Sequence, residues 1–142
     1  MNLRFDKVIR AVGFGFRKVY SLVLDDDGLY LIRTGGVGAL KHFARNADGQ
    51  IVARTPTDRG VKEIEQNEAR LNALPLPELL AADRECYRVR LEAIEEVIVE
   101  DGPPPQMAIK LTGSNHFLKF PYATPAEVQT LQRALDQWSY QK

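Results

Sequence analysis

The C-terminal part of the chain contains the feature that most constrains the fold, a helix start with all of its expected signals. Thr124, Pro125 and Glu127 form a capping box with proline at the first helical position: the hydroxyl can accept the Glu127 amide, and the carboxylate can reach back to the Thr124 amide. Apolar residues then recur at helical spacing, namely Val128, Leu131, Leu135 and Trp138. Because an isolated helix of this length is marginal in water, the sequence predicts that it docks on a sheet.

Two predicted hairpins supply strands for that sheet. Met107 to Leu111 alternates as a half-buried strand does, and His116 to Phe120 returns after a turn. Earlier in the chain, Val19 to Leu24 and Leu29 to Arg33 are rich in strand-forming residues. The Asp27-Gly28 pair between them is the strongest short hairpin signal that a sequence can give.

Three further segments are predicted to be strands. Leu3 to Val12 is mixed in pattern and is interpreted as a strand. Tyr87 to Leu91 alternates, and Ile94 to Glu100 follows it after a break at Glu92-Ala93. The β-branched run Val97 to Val99 favours strand over helix in the last of these.

The segment between these groups, residues 35–86, is predicted to be a largely helical insertion. A short helix is expected over Ala39 to Arg45 and a short strand over Ile51 to Ala53. Amphipathic spacing then predicts a helix from Arg59 to about Leu74 and a second, shorter one from Pro77 to Arg84.

Composition indicates one α+β domain over residues 1–142. A length of 142 residues and a hydrophobic share of 44% support a single core. The formal net charge of zero gives no global argument for nucleic-acid binding. One cysteine, Cys86, excludes an intrachain disulfide and suits a reducing compartment. No signal-peptide core and no run of about 18 apolar residues is present, so a cytoplasmic protein without integral membrane association is expected.

The sequence offers little that indicates catalysis. His42 and His116 are far apart in sequence, so no pair of histidines is indicated. A single cysteine excludes the usual zinc site with several thiolate ligands. Asp25 to Asp27 are consecutive acids followed by a strand, whereas a calcium loop needs acids at alternate positions and a distant glutamate. We therefore expect no catalytic residues, no metal and no cofactor, and an enzyme is the least favoured class.

Two stretches resemble a known family. Val23 to Ile32 is a strand, an acidic turn and a Leu-Tyr-Leu strand, and Val89 to Val99 precedes a strand pair and a closing amphipathic helix. The chain is similar here, over Val19 to Ile32 and Tyr87 to Trp138, to bacterial pleckstrin-homology-like (PH-like) domains. The resemblance implies a bent antiparallel sheet of about seven strands, a PH-like barrel, closed at one end by the C-terminal helix. The insertion departs from that pattern.

Because this fold hosts lipid, peptide and protein binding, it does not by itself give a function. The favoured interpretation is a non-catalytic binding or assembly module that acts on a protein partner or on a second copy, with self-association through residues 35–86. The alternative is binding of an anionic lipid or small anion at the early hairpin, where the resemblance implies a basic cluster. The candidate residues are Arg10, Arg17 and Lys18.

Overall fold

The computed structural model describes the backbone of residues 3–12, 16–36, 42–45, 48, 51–54 and 58–139, and the side chains of residues 3–10, 18–36, 48 and 58–137. In chain order the elements are β1 (Leu3–Val12), β2 (Phe16–Leu24), β3 (Leu29–Gly36), β4 (His42–Arg45), β5 (Ile51–Arg54), α1 (Asp58–Ala73), α2 (Leu76–Ala82), β6 (Tyr87–Val89), β7 (Ile94–Glu100), β8 (Gln106–Leu111), β9 (Ser114–Lys119) and α3 (Pro125–Ser139). A short 3-10 turn, Leu91–Ala93, joins β6 to β7.

Seven strands form one antiparallel sheet in the order β6-β3-β2-β1-β9-β8-β7. The predicted α+β class with a C-terminal helix is confirmed, and the order is compatible with a PH-like fold. The expected barrel is wrong: the sheet is not closed, because β6 and β7 are its two edges. The chain passes from one edge to the other through the 3-10 turn, and β6 is three residues long, which leaves little strand for a closing ladder.

One face of the sheet, called here the inner face, surrounds the main core. All seven strands contribute buried side chains to it, including Leu22, Leu31 and Ile109. Helix α3 contacts β7 and the 3-10 turn, so its apolar stripe covers the gap between the sheet edges. Val128, Leu131, Leu135 and the ring of Phe120 are buried there.

The predicted start of α3 is confirmed in detail. The Glu127 amide donates to Thr124 Oγ1 at 3.2 Å, and the Thr124 amide donates to Glu127 Oε1 at 3.0 Å. These two amides are among those that a helix start leaves without helical partners. The hydrogen bonds to Glu127 also lower the pKa of its carboxyl. The predicted stripe residue Trp138 belongs to α3, but its side chain lies outside the described residues.

The other face, the outer face, carries helices α1 and α2 over its first three strands. Ile64 of α1 packs on Ile9 and Val19, and Leu79 of α2 packs with Tyr30 and Ile32. The predicted helices of the insertion are confirmed to within about two residues at their boundaries. Helices α1 and α2 thus cover part of the outer face.

Polar contacts hold α1 on β1 and β3. At a bulge in β1, Lys7 adopts a φ of 56°, and its Nζ lies 3.0 Å from Glu68 Oε1. The neighbouring Arg4 donates to the Asn72 side chain, and Asn67 donates to the Thr34 carbonyl at 2.8 Å. A bulge re-aims the side chain of the residue that forms it, which is how Lys7 reaches the helix.

The predicted β2–β3 hairpin is confirmed, with Leu24 opposite Leu29. Asp25 Oδ1 accepts hydrogen bonds from the amides of Asp27 at 2.8 Å and Gly28 at 3.0 Å. The aspartate run therefore forms a turn in the way that Asx side chains do, by satisfying backbone amides two and three residues on.

One predicted element is wrong. Instead of the short helix expected over Ala39 to Arg45, residues 42–45 form β4, which pairs with β5 from His42 opposite Arg54 to Arg45 opposite Ile51. The expected strand over Ile51 to Ala53 is confirmed as part of β5. The local helix signal was weak, and cross-strand pairing, which a local pattern does not contain, decides such segments.

Candidate functional site

The curvature of the sheet brings four polar and aromatic side chains together on the inner face, beyond the core, although three strands separate β6 from β9 in the sheet order. Arg10 follows Val8 by two residues on β1, and Val8 is opposite Tyr20. The Arg10 guanidinium lies over the Tyr87 ring at 4.8 Å from its centroid, and the His116 ring stacks on Tyr87 at 5.3 Å. Tyr20 meets Tyr87 edge to face at 5.9 Å. We call Arg10, Tyr20, Tyr87 and His116 the arginine–aromatic cluster.

Burial sets the ionisation of this cluster. It raises the pKa of Tyr87 well above its ordinary value and also raises the pKa of Tyr20, against the opposing effect of the Arg10 hydrogen bond and charge. Desolvation, helped by the charge on Arg10, lowers the pKa of His116. The histidine is therefore neutral near pH 7, and the arginine is the charged member of the cluster.

Beside the cluster, Lys18 and Arg33 share one carboxylate. Lys18 Nζ donates to Glu85, and Arg33 Nε lies 2.6 Å from Glu85 Oε2. The Lys18 hydrogen bond is the main cause of the lowered pKa of Glu85. Glu85 follows α2, so this ion pair also ties the end of the insertion to the sheet.

The residues of the predicted basic site differ in their partners. Arg10 and Lys18 lie opposite each other on β1 and β2. Lys18 is neutralised by Glu85, while Arg10 lies over an aromatic ring. The side chain of Arg17 lies outside the described residues. Tyr87 and His116 were not predicted, because only the curvature of the whole sheet brings β6 and β9 close enough for both rings to meet near Arg10.

A second candidate surface lies on the outer face of β7, β8 and β9, which we call the open half. Ile98 is opposite Ala108, and Ala108 is opposite Phe117, so the three side chains form a row across the strands. Ile98 is 39% exposed and Phe117 is 59% exposed. We call these three residues the apolar row.

A shallow groove of about 150 Å³ runs beside this row, and its lining is mainly apolar. At one end, the groove is bordered by the next row of residues along the strands, two of which are charged. Glu100 on β7 is opposite Gln106 on β8, which is opposite Lys119 on β9. On the other side of the apolar row, Lys110 lies 3.4 Å from Glu96. The arrangement is an apolar strip between charged margins.

A signal for the apolar row was present in the sequence. His116 to Phe120 was interpreted as a strand, and such a strand exposes alternate residues. Leu118 and Phe120 point into the core, so Phe117, which directly precedes Leu118 in the strand, must face outward. Ile98 lies in a β-branched run that has apolar residues on both faces.

The chain matches no model of a known protein family, and no curated protein is similar to it. Within the described residues, no group of three or more histidine, cysteine, aspartate or glutamate side chains is placed to hold a metal ion. None of the helices in the described part has the length and apolar composition that crossing a membrane requires.

Proposed function

We propose that this chain is a non-catalytic protein-binding module with a PH-like fold, and that the open half of its sheet is the binding surface. The observation that supports the proposal is the apolar row, in which the Phe117 ring is 59% exposed beside a partly exposed Ile98. The buried, unpaired thiol of Cys86 suits the cytoplasm, where the proposal places the module.

Exposed apolar side chains that lie side by side are a recognised mark of interaction surfaces, whereas scattered ones are ordinary. The apolar row has the anatomy of such a surface: an exposed aromatic residue and a polar rim formed by Glu100, Lys119 and Lys110. Its residues belong to a three-strand ladder, so binding would not require them to be ordered first.

A position-specific photo-crosslinker tests this proposal. The probe replaces Phe117 in one variant and Tyr122 in a matched control, because the Tyr122 side chain is 58% exposed but lies outside the open half. In the cells that make this protein, illumination is expected to join position 117 to a protein in defined bands, and position 122 is not expected to give them. Equal yields from the two positions, or none from position 117, would contradict the proposal.

A second candidate function is anion binding at the arginine–aromatic cluster, and one observation favours it. Among residues with described side chains, no carboxylate lies within ion-pairing distance of the Arg10 guanidinium, although Lys18 and Arg33 nearby are both paired. A half-buried arginine without a counter-ion can bind phosphate or carboxylate strongly.

Calorimetric titration with inositol hexakisphosphate, and with vesicles that contain anionic lipid, tests this candidate and separates a free anion from a headgroup. Arg10→Gln should abolish binding. Arg88→Gln is the control, because Arg88 also lies over a tyrosine ring, at 5.9 Å from the centroid of Tyr30, but on the outer face. No binding by the unmodified chain at low salt would eliminate the candidate.

The pH dependence adds a second measurement. The pKa of His116 is lowered by desolvation and by the Arg10 charge, so a bound anion that offsets this charge raises it again. Binding then takes up a proton, and by linkage the anion is expected to bind more tightly as pH falls from 8 to about 6. His116→Gln should remove that dependence.

A further inference from the structure

We infer that the partner of the open half is a second copy of this chain. The two copies are related by a two-fold axis that is parallel to β8 and lies between their opposed outer faces. The inference rests on the proposed function and gives its partner. It names a contact that the sequence did not suggest, since self-association was expected through residues 35–86.

The order of side chains in the apolar row is self-complementary. Strand β8 lies between β7 and β9, so a two-fold axis along β8, with the two outer faces opposed, places β7 of one copy over β9 of the other. Because the row is level across the strands, Phe117 then lies over the partner copy's equivalent of Ile98, and Ala108 lies over its own equivalent. The small residue is on the axis and the large ones are beside it, which lets the side chains interdigitate.

The neighbouring row, which consists of Glu100, Gln106 and Lys119, has complementary charges under the same two-fold operation. Glu100 on β7 and Lys119 on β9 are level with each other, so each lies opposite the other residue type in the second copy. Neither of them forms an ion pair with another described side chain. Lys110, which would face its own equivalent on the axis, has Glu96 at 3.4 Å to offset its charge.

The position of α1 agrees with this geometry. The helix lies over the outer face at Ile9 and Val19, on β1 and β2, and the apolar row begins beyond β1 on β9. Under the two-fold operation the second sheet occupies the layer over β7 to β9 that the helices of the first copy leave open. Each copy would therefore have its outer face covered by its own helices on one half and by its partner on the other.

Light scattering with sedimentation over a wide concentration range tests the inference on the purified chain of 142 residues. The unmodified chain is expected to show a dimer that dissociates on dilution. Phe117→Asp is expected to raise the dissociation constant about tenfold or more, as loss of a central aromatic contact does. Tyr122→Asp, at matched exposure, should leave the dimer unchanged, and circular dichroism of both variants checks that the fold is retained.

A charge exchange tests the two-fold geometry itself. Glu100→Lys alone places lysine opposite lysine, and Lys119→Glu alone places glutamate opposite glutamate, so each variant is expected to be largely monomeric. Mixing these two variants should produce a heterodimer, because every opposed pair is then of opposite charge. If a substitution acted only by disturbing the fold of its own chain, mixing the two variants would not restore association.

The outcomes separate the inference from the proposed function. A monomeric unmodified chain at the highest concentration overturns the inference, while a crosslink from position 117 to another protein would still support the proposed surface. A dimer that is insensitive to Phe117→Asp and to the charge substitutions overturns the inference, because it uses another face. A dimer that Phe117→Asp disrupts, but whose charge variants do not associate on mixing, overturns the stated axis.

Discussion

The two halves of the outer face differ in what covers them, although they belong to one antiparallel sheet. On β1 to β3, the side chains meet α1 and α2, and Val19 is completely buried. On β7 to β9, the corresponding side chains remain in solvent, and Phe117 is 59% exposed. Alternation gives both halves an outward set of residues, but only the covered half has a second layer from its own chain. An apolar side chain on the covered half therefore stabilises the fold, whereas one on the open half is available for binding.

The largest expected effect comes from comparing two isoleucines on this face. Ile64→Ala removes a buried side chain of α1 that packs on Ile9 and Val19, and should lower the free energy of unfolding by about 2–5 kcal/mol. Ile98→Ala, in the open half, should lower it by less than about 1 kcal/mol in the monomer. Urea unfolding at low protein concentration measures both values. Equal losses would show that the two halves are not covered differently.

A smaller effect is expected at the two glycines that end β3. A Cβ on Gly35 would lie 2.8 Å from Ile64 Cγ1, while a Cβ on Gly36 would meet nothing within 4 Å. Gly35→Ala should therefore lower the free energy of unfolding by about 1–3 kcal/mol, because it pushes α1 away from the sheet. Gly36→Ala should leave that free energy unchanged or raise it by up to about 1 kcal/mol. If both variants unfold at the same urea concentration, α1 does not pack closely on β3.

The smallest effect concerns one ion pair on each half. Lys7 and Glu68 join β1 to α1 at 3.0 Å, and the Glu68 side chain is 12% exposed. Lys110 and Glu96 lie 3.4 Å apart on the open half, where both side chains are more than 40% exposed. Double-mutant cycles with methionine and glutamine should give a coupling of about 1 kcal/mol for the first pair and at most about 0.3 kcal/mol for the second. Equal couplings would mean that α1 does not exclude water from Lys7.

The elements that sequence predicted best are those whose partners are close in the chain. The capping box of α3 needs residues three apart, and the β2–β3 turn needs the side chain of Asp25 and the amides of Asp27 and Gly28. Each can be identified from local chemistry alone. The prediction of a short helix over Ala39 to Arg45 was wrong because β4 forms by pairing with β5, and this pairing is not visible in the local sequence.

The candidate sites depend on contacts between residues that are remote in sequence. Arg10 and Lys18, which the sequence offered as candidates, lie opposite each other on β1 and β2. The partner of Lys18 is 67 residues away at Glu85, and Tyr87 and His116 reach Arg10 from strands remote in sequence. The apolar row likewise needs the registers of three strands, which no local pattern specifies.

By itself, the sequence determined the class of fold, most of its strands and helices, and which residues of each strand share a face. These follow from periodicity, turn chemistry and capping, which act over a few residues. Only the tertiary structure decided that the sheet stays open between β6 and β7, that α1 and α2 cover one half of the outer face, and that the other half presents Phe117 to solvent. Alternation fixes which side chains point outward, but burial depends on which distant surface packs against them, and this is set by the free energy of the whole arrangement.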